Sequence, residues 1–183
     1  MPSLRITTGT LRGRKIPLPP DTRPTSERAR QAFFNIVSDR IEGASFLDLF
    51  AGSGAFAFEA LSRGAARAIA IDASKHNAAA MERLARDWSV SLRIITADAL
   101  AGIKRLGGEV FDVIYADPPY DYERYDDLLT TIDARIALAP DAIVGIEHRR
   151  RTQPFKAPVE RLRFDRTAEY GEVWISLFTN ASQ

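Results

Sequence analysis

Apolar and polar positions along this 183-residue chain change period several times, and each change marks an element. Residues 4–16 interleave apolar side chains with Arg5, Arg12, Arg14 and Lys15, which predicts two short strands about a Thr-Gly turn. A proline-rich connector follows at 17–20. Pro24, a Thr25 or Ser26 cap and Glu27 then open a helix that carries Ala29, Phe33, Ile36 and Val37 on one face. From residue 45 the pattern becomes strand, helix, strand. Strands are predicted at 46–49, 68–71, 92–95, 111–116 and 142–146. The helices between them are 55–63 (closed by Gly64), a Ser74-capped helix through Trp88, a short one near 100–106 and one near 122–137. This alternation specifies an α/β fold, a mostly parallel sheet covered by helices on both faces. The tail differs. Segments 159–167 and 172–179 read as strands joined near residues 169–171, so they pair antiparallel.

Composition narrows the chemistry. With no cysteine, disulfides, thiolate zinc sites and cysteine nucleophiles are excluded. No apolar run reaches membrane-spanning length, and MPSLRITTG lacks the stretch of a signal peptide, so a cytoplasmic protein is expected. The net charge of +1 hides an asymmetry: residues 1–40 carry eight Lys/Arg against three Asp/Glu, residues 41–147 ten against seventeen, and residues 148–183 seven against four. An acidic body with basic ends suits a polyanionic partner.

The run DLFAGSG at 48–54 ends the first sheet strand and opens a helix. Its glycines let the backbone turn sharply and approach a ligand, and the helix N-terminus offers free N–H groups. Gly52, Gly54 and Ala57 fit a dinucleotide fingerprint, with Asp72 about twenty residues on to hold a ribose hydroxyl, so NAD is a candidate. Asp48 argues against it, because a carboxylate beside the turn repels a pyrophosphate. S-adenosylmethionine, with its ammonium and sulfonium, suits that carboxylate. Asp48, Asp72, Asp98 and Asp117 each end a successive predicted strand, so they converge on the edge where such sheets bind ligands. Asp72 is placed to take ribose hydroxyls and Asp98 to read an adenine amino group.

At 117–120 the strand ends in DPPY. Two prolines cannot continue a strand. The run resembles the signature of methyltransferases that modify exocyclic amino groups of bases, in which Asp, Asn or Ser precedes two prolines and an aromatic residue. Such a nitrogen is a poor nucleophile because its lone pair is delocalised into the ring. Asp117 and the Pro118 carbonyl can accept its two hydrogens, Pro118 and Pro119 fix the elbow, and Tyr120 can stack on the base. No covalent intermediate is needed, which agrees with the missing cysteines.

The resemblance extends along the chain. The runs RITTGTLRGRKI at 5–16, TRPTSER at 22–28, FLDLFAGSG at 46–54 and EALSRGA at 59–65 are together similar to the RsmD family, bacterial enzymes that methylate N2 of a guanine in 16S rRNA of the small ribosomal subunit. The resemblance implies a class I S-adenosylmethionine-dependent methyltransferase, Rossmann-like, with a seven-stranded sheet whose last strand is antiparallel. It implies an RNA-contacting hairpin at 1–20 ahead of a methyltransferase domain at 21–183, with Arg5, Arg12, Arg14 and Lys15 on phosphates. It also places Arg23 and Thr25 near the cofactor, beside Asp48, Phe50, Gly52, Ser53, Gly54, Asp72, Asp98 and Asp117. The expected partner is the small subunit or an assembly intermediate, met by a monomer without a metal. Two departures stand out: Asp72 replaces the usual glutamate, and Phe56 and Phe58 replace smaller aliphatics.

An adenine-N6 DNA methyltransferase remains as an alternative, disfavoured by the lack of a target-recognition domain. An NAD-binding oxidoreductase leaves DPPY unexplained, and a non-catalytic RNA-binding protein leaves Asp117 and Tyr120 without a purpose. His76 and His148 are too isolated for a metal site and are expected on the surface. Trp88 and Trp174 read as packing. The run at 149–151 is either a phosphate contact or a solvated loop.

Overall fold

The computed structural model describes residues 3–18, 27–149 and 155–180. Strands Ser3–Arg5 (β1) and Lys15–Pro17 (β2) form a two-stranded antiparallel sheet. Helix Glu27–Ile36 (α1) leads to Ser45–Leu49 (β3), Ala55–Ser62 (α2), Arg67–Asp72 (β4) and Lys75–Trp88 (α3). Leu92–Thr96 (β5), Ala99–Ile103 (α4), Val110–Ala116 (β6) and Tyr125–Arg135 (α5) follow. The chain closes with Ala137–Arg149 (β7), Leu162–Tyr170 (β8) and Val173–Asn180 (β9). The seven-stranded sheet has the order β5-β4-β3-β6-β7-β9-β8, parallel except where β9 runs antiparallel to β7 and β8. That is the mostly parallel sheet with an antiparallel last strand expected from the sequence. No helix among the described residues is long and apolar enough to cross a membrane.

Period-two alternation sorts the central strands onto two cores. Phe46, Ala68, Ala70, Val113 and Tyr115 pack on one face with α1, α2, α3 and the hairpin. Leu47, Leu49, Ile69, Ile71, Ile114 and Ile146 pack on the other with α4 and α5. The two phenylalanines of α2 find aromatic partners. Phe56 stacks on Tyr115 with centroids 3.8 Å apart, and Phe58 meets Trp88 edge-on at 4.9 Å. Trp88 is thus packing, as expected.

Some boundaries differ from the sequence pattern. Helix α5 begins at Tyr125 and not at residue 122, because the Tyr122 N–H is taken by the Pro119 carbonyl at 2.9 Å in the turn after the prolines. Strand β7 starts at Ala137, where a helix was expected, and absorbs Pro140 and Asp141 in an irregularity opposite Phe111–Val113. Asp141 sits at φ 57°, and the Asn180 side-chain amide donates to the Ala139 carbonyl at 2.9 Å. Strand β8 begins at Leu162, three residues after the expected start. The predicted cap at Pro24, Thr25 and Ser26 lies outside the described residues.

The hairpin does not stand apart from the sheet domain. Leu4, Ile6, Leu11, Ile16 and Leu18 are buried in the core that α1 and α2 share. Its connecting loop lies on the C-terminal end of α2: the Thr10 N–H donates to the Ser62 carbonyl at 2.9 Å and the Leu11 N–H to Ser62 Oγ at 2.9 Å. Gly9, at φ 84°, makes this contact possible, because a Cβ there would come within 1.7 Å of the Ser62 carbonyl oxygen. Buried Glu59 anchors the same loop. It accepts from the Thr7 and Thr8 N–H groups and the Thr7 hydroxyl, and it pairs with Arg63 and with fully buried Arg30.

Candidate active site

The C-terminal ends of β3, β6 and β7 open into a cleft of about 430 Å³. Three segments wall it: Asp48, Phe50–Ser53, Ala55 and Phe56 on one side; the Asp-Pro-Pro-Tyr elbow on another; Glu147–Arg149 with Glu172 and Val173 on the third. Leu4 and Leu18 of the hairpin close one end. Parallel strands aim their carboxyl ends the same way, so residues far apart in sequence meet at this edge.

The glycine turn is built as its sequence demands. Phe50, Gly52 and Gly54 have φ of 61°, 54° and 77°, and Gly54 caps α2 in the left-handed conformation. Asp72, from the end of β4, holds the turn from behind: Oδ2 accepts from the Gly52 N–H at 2.7 Å, while Oδ1 accepts from the Ser74 N–H and the Asn77 amide. Asp48 is 2% exposed and accepts from the Ala57 N–H at 3.0 Å. Burial pushes its carboxyl well above the usual range, the Ala57 bond opposes this, and the charges of Asp117 and Asp72 add to it. Such a group is stabilised in its ionised form by a cationic ligand.

Asp117 leaves β6 with its N–H donated to the Leu49 carbonyl at 3.2 Å, which ties the elbow to the glycine-turn strand. Pro118 is buried and Pro119 exposed. Tyr120 is 55% exposed, with the Arg149 guanidinium 4.3 Å from its ring centre. A ring presented in this way is available as a platform for another flat group.

The structure therefore brings Asp48, Phe50, Gly52, Ser53, Asp117, Pro118, Pro119 and Tyr120 to one cleft. Gly54, Asp72 and Asp98 lie outside its wall. Asp98 is exposed and caps α4 through the Leu100 N–H at 3.0 Å. Arg23 and Thr25 lie outside the described residues. Arg5, Arg12, Arg14 and Lys15 are all exposed on the hairpin, and Arg14 sits 5.5 Å over the Trp88 ring.

One expectation is corrected. His148 is not a surface residue: it is 5% exposed, because Tyr125 of α5, Phe155 and Trp174 of β9 pack edge-on around its ring. Its Nδ1 meets the Arg149 carbonyl at 3.0 Å and its Nε2 meets Ser176 Oγ at 2.8 Å, and burial lowers its pKa. His76 is exposed as expected, and Trp174 is half-buried within β9. Arg149 belongs to the cleft, while residues 150 and 151 lie outside the described ones.

Sequence reasoning missed Glu147, Glu172 and Tyr122. The signal for Glu147 was present, since it ends the fifth strand as the four aspartates end theirs. Tyr122 packs edge-on against Phe50 at 5.2 Å, and its buried hydroxyl makes no hydrogen bond among the described residues. Burial, with the nearby Asp98 charge adding and Arg124 opposing, pushes that hydroxyl up to about 12.

Comparison with known proteins converges on one family. A family profile described as conserved hypothetical protein 95 matches residues 4–179. The ribosomal RNA small subunit methyltransferase D of Escherichia coli is 33% identical over 147 residues, covering 79% of this chain and 74% of its own. A solved E. coli structure described as a candidate methyltransferase, yhhF, superposes with a TM-score of 0.87 at 28% identity over the whole of both chains. An RNA methyltransferase from Salinibacter ruber, solved with S-adenosyl-L-homocysteine, shares the fold at a TM-score of 0.65 and 15% identity, over 88% of this chain and 95% of its own. With the glycine turn, the proline elbow and the docked hairpin all in place, the chain belongs to the conserved hypothetical protein 95 family, which is the RsmD family.

Proposed function

We propose that this chain transfers a methyl group from S-adenosylmethionine to the exocyclic N2 of a guanine in 16S rRNA of the small ribosomal subunit. The observation that carries the reading is the placement of Asp117 and Tyr120 on one wall of a cleft whose facing wall is the glycine turn.

The residues present fit the methyl donor. Gly54 has no room for a side chain, since a Cβ there would lie 2.8 Å from Met81 Sδ in the core beneath, so the glycine turn is held tightly against α3 behind the cleft. Asp48 is a buried carboxyl facing a position where a cation is welcome, and the Tyr122 hydroxyl is a buried donor awaiting an acceptor. A pyrophosphate would meet Asp48 and Asp117 instead, which disfavours NAD. Asp48, Phe50, Gly52, Ser53 and Asp72 would hold the cofactor, with Asp98 and Tyr122 toward its adenine. When bound, S-adenosylmethionine supplies an electrophilic methyl group on a positively charged sulfur.

The chain's own groups do the rest. The target base leaves its stack to enter the cleft, and Tyr120 offers it a replacement face. Asp117 and the Pro118 carbonyl accept the two amino hydrogens, which turns the nitrogen lone pair out of conjugation and toward the donor. The proton that leaves as the new N–C bond forms passes on to solvent, since the role of Asp117 is orientation and hydrogen-bond acceptance. Leu4, Leu18 and Phe56 give the cleft apolar walls. Arg5, Arg12, Arg14 and Lys15 hold flanking phosphates, a sequence-independent contact that sets orientation.

The test is nucleoside mass spectrometry of small subunits from cells lacking the gene, after incubation with the protein and methyl donor. N2-methylguanosine in 16S rRNA is the expected product. A parallel incubation with DNA that yields N6-methyladenosine while the subunits stay unmodified would establish the adenine alternative instead.

A further inference from the structure

Glu147 is a carboxyl buried in the cleft wall, 8% exposed, and the mechanism above does not use it. It ends the sheet-edge part of β7 beside Tyr115 and Asp117. The Tyr115 hydroxyl donates to Glu147 Oε2 at 2.6 Å, and the Asp117 carboxyl lines the same cleft wall close enough for its charge to add to burial in raising the Glu147 pKa. Tyr115 is itself fixed, fully buried, stacked on Phe56 at 3.8 Å and met at a tilt by Phe33 at 4.6 Å. Among the described residues no ion pair covers the charge of Glu147. A buried carboxyl without a cation is costly when ionised, and two carboxylates in contact are costlier still. The arrangement is economical only if one proton is shared between the pair.

We propose that Glu147 is a positioning residue for Asp117: it accepts from Tyr115 through one oxygen and donates a proton-bearing oxygen to Asp117, so that Asp117 stays ionised and aimed at the target amino group. The inference rests on the amino-group methylation proposed above. Tyr115 is the anchor that leaves Glu147 no other orientation. Burial first, and then the charges of Glu147 and Asp117, push the Tyr115 hydroxyl well above its ordinary value, so it remains a donor. A hydrogen bond given to Asp117 fixes the direction in which its carboxylate faces the base, and makes the carboxylate harder to protonate. Without it, Asp117 loses the donor that aims it, and a small displacement of an orienting group costs far more in rate than in binding.

The pair also gives the site an alkaline limit. Burial, reinforced by the Asp117 charge, pushes the Glu147 carboxyl up to about 8. Below that value it carries the proton; as pH rises through it, the donor is lost and a second negative charge appears beside Asp117. The groups facing Glu147 are Tyr115 and Asp117 from β6 and its elbow, Asp48 from β3, Tyr125 from α5, and Glu172 from the turn before β9. His148 and Arg149 adjoin it on its own strand. Burial, followed by the charges of Asp117 and Glu147, raises the Tyr125 hydroxyl to about 12, and burial keeps His148 neutral, so neither titrates between pH 7 and 9.

Two measurements test this. The first is the single-turnover methylation rate against pH, on small subunits lacking the modification. The wild-type rate should fall above about pH 8. Glu147→Ala should lower kcat by about 10- to 100-fold, with KM and cofactor affinity little changed. Glu147→Gln keeps an oxygen for Tyr115 and an amide donor for Asp117 that cannot titrate. It should recover most of the lost kcat and flatten the alkaline fall. A Gln variant as slow as Ala, or one with the alkaline fall intact, would overturn the proposal. The second is a side-chain carboxyl 13C titration, with Glu147 identified through Glu147→Gln. Its midpoint should lie well above ordinary carboxylates and drop in Asp117→Asn. A midpoint in the ordinary range and indifferent to Asp117→Asn would overturn the pairing whatever the activity. A protein inert on subunits whose Glu147 midpoint still drops would refute the proposed reaction and leave the pair standing.

Discussion

Glu59 is the side chain whose loss should most clearly separate the hairpin from the sheet domain. It is fully buried in α2, where Oε1 accepts from Thr7 Oγ1 at 2.6 Å, Arg63 Nε at 3.0 Å and Thr8 N at 3.2 Å. Oε2 accepts from Thr7 N at 3.0 Å and lies 3.8 Å from Arg30 Nε. Arg30 is 0% exposed; among the described residues its Nε and Nη1 have no hydrogen-bond partner, while its Nη2 donates to the Arg5 carbonyl at 2.8 Å. Burial lowers the Arg30 pKa and the Glu59 charge opposes this, so Glu59 is what makes a buried guanidinium tolerable. Removing one partner of a buried pair costs about 3–5 kcal/mol, because the other charge is left uncompensated. The hydrogen bonds to Thr7 and Thr8 belong to the same truncation and are not added separately. We expect Glu59→Ala to lose about 4 kcal/mol in urea unfolding. At about 2–4 °C per kcal/mol for a domain of this size, Tm should fall by about 8–16 °C. Glu59→Gln should fall between, since it keeps one acceptor but turns a donor toward donors and leaves Arg30 unneutralised. Chemical denaturation of wild type and both variants, fitted with a common m-value, measures it. A loss below about 1 kcal/mol in the Ala variant would refute the reasoning, since that is what an exposed ion pair contributes.

Asp117→Ala should cut turnover by about 10²–10³, as does removal of one preorganised hydrogen-bonding group, with little change in cofactor affinity. Asp117→Asn should retain more activity, because its amide oxygen still accepts; equal loss in both under single turnover would mean that the negative charge itself is required. S-adenosylmethionine at 100 times its dissociation constant should stabilise the protein by about 2.7 kcal/mol, and NAD should not. Asp72→Ala should remove most of that effect in a thermal-shift titration, because the glycine turn loses its support at Gly52. Replacing Arg5, Arg12, Arg14 and Lys15 one at a time by Ala should flatten the salt dependence of RNA binding by about 0.7 log–log units per lost contact. Point substitutions suit this test better than deleting the hairpin, since Leu4, Ile6, Leu11 and Ile16 belong to the core; an unchanged salt slope in all four would refute the RNA arm.

Where local pattern and tertiary environment agree, the sequence was sufficient. Alternating strands and helices from residue 45 onward specified the sheet, since β3, β4 and β6 are mostly apolar along both faces while α3 and α5 carry an apolar stripe on one. The glycine turn and the proline elbow were legible for a related reason. Glycine at positive φ and proline at a strand end are local backbone constraints that few other residues satisfy. Four aspartates at successive strand ends predicted the cleft edge without any contact being known. Their separation into Asp48 and Asp117 in the cleft wall, Asp72 behind the turn and Asp98 on a helix cap was not predictable, because it depends on which hydrogen-bond donors each carboxylate meets.

The same distinction explains what was misread. Nothing in residues 137–141 announces that a strand starts where the helix pattern ends; pairing with β6 and the Asn180 amide impose it. His148 reads as a solvated residue because the rings that bury it, Tyr125, Phe155 and Trp174, lie up to 26 positions away along the chain. The hairpin's arginines were visible, but the Glu59 anchor beneath it was not, since a charged side chain on a helix gives no local sign of which way it faces. Sequence alone thus determined the elements, the sheet edge and the chemical groups available there, all of which follow from neighbours in the chain. Only tertiary structure decided which carboxyls share a proton and which charges are buried in pairs, because desolvation and hydrogen bonding are properties of neighbours in space.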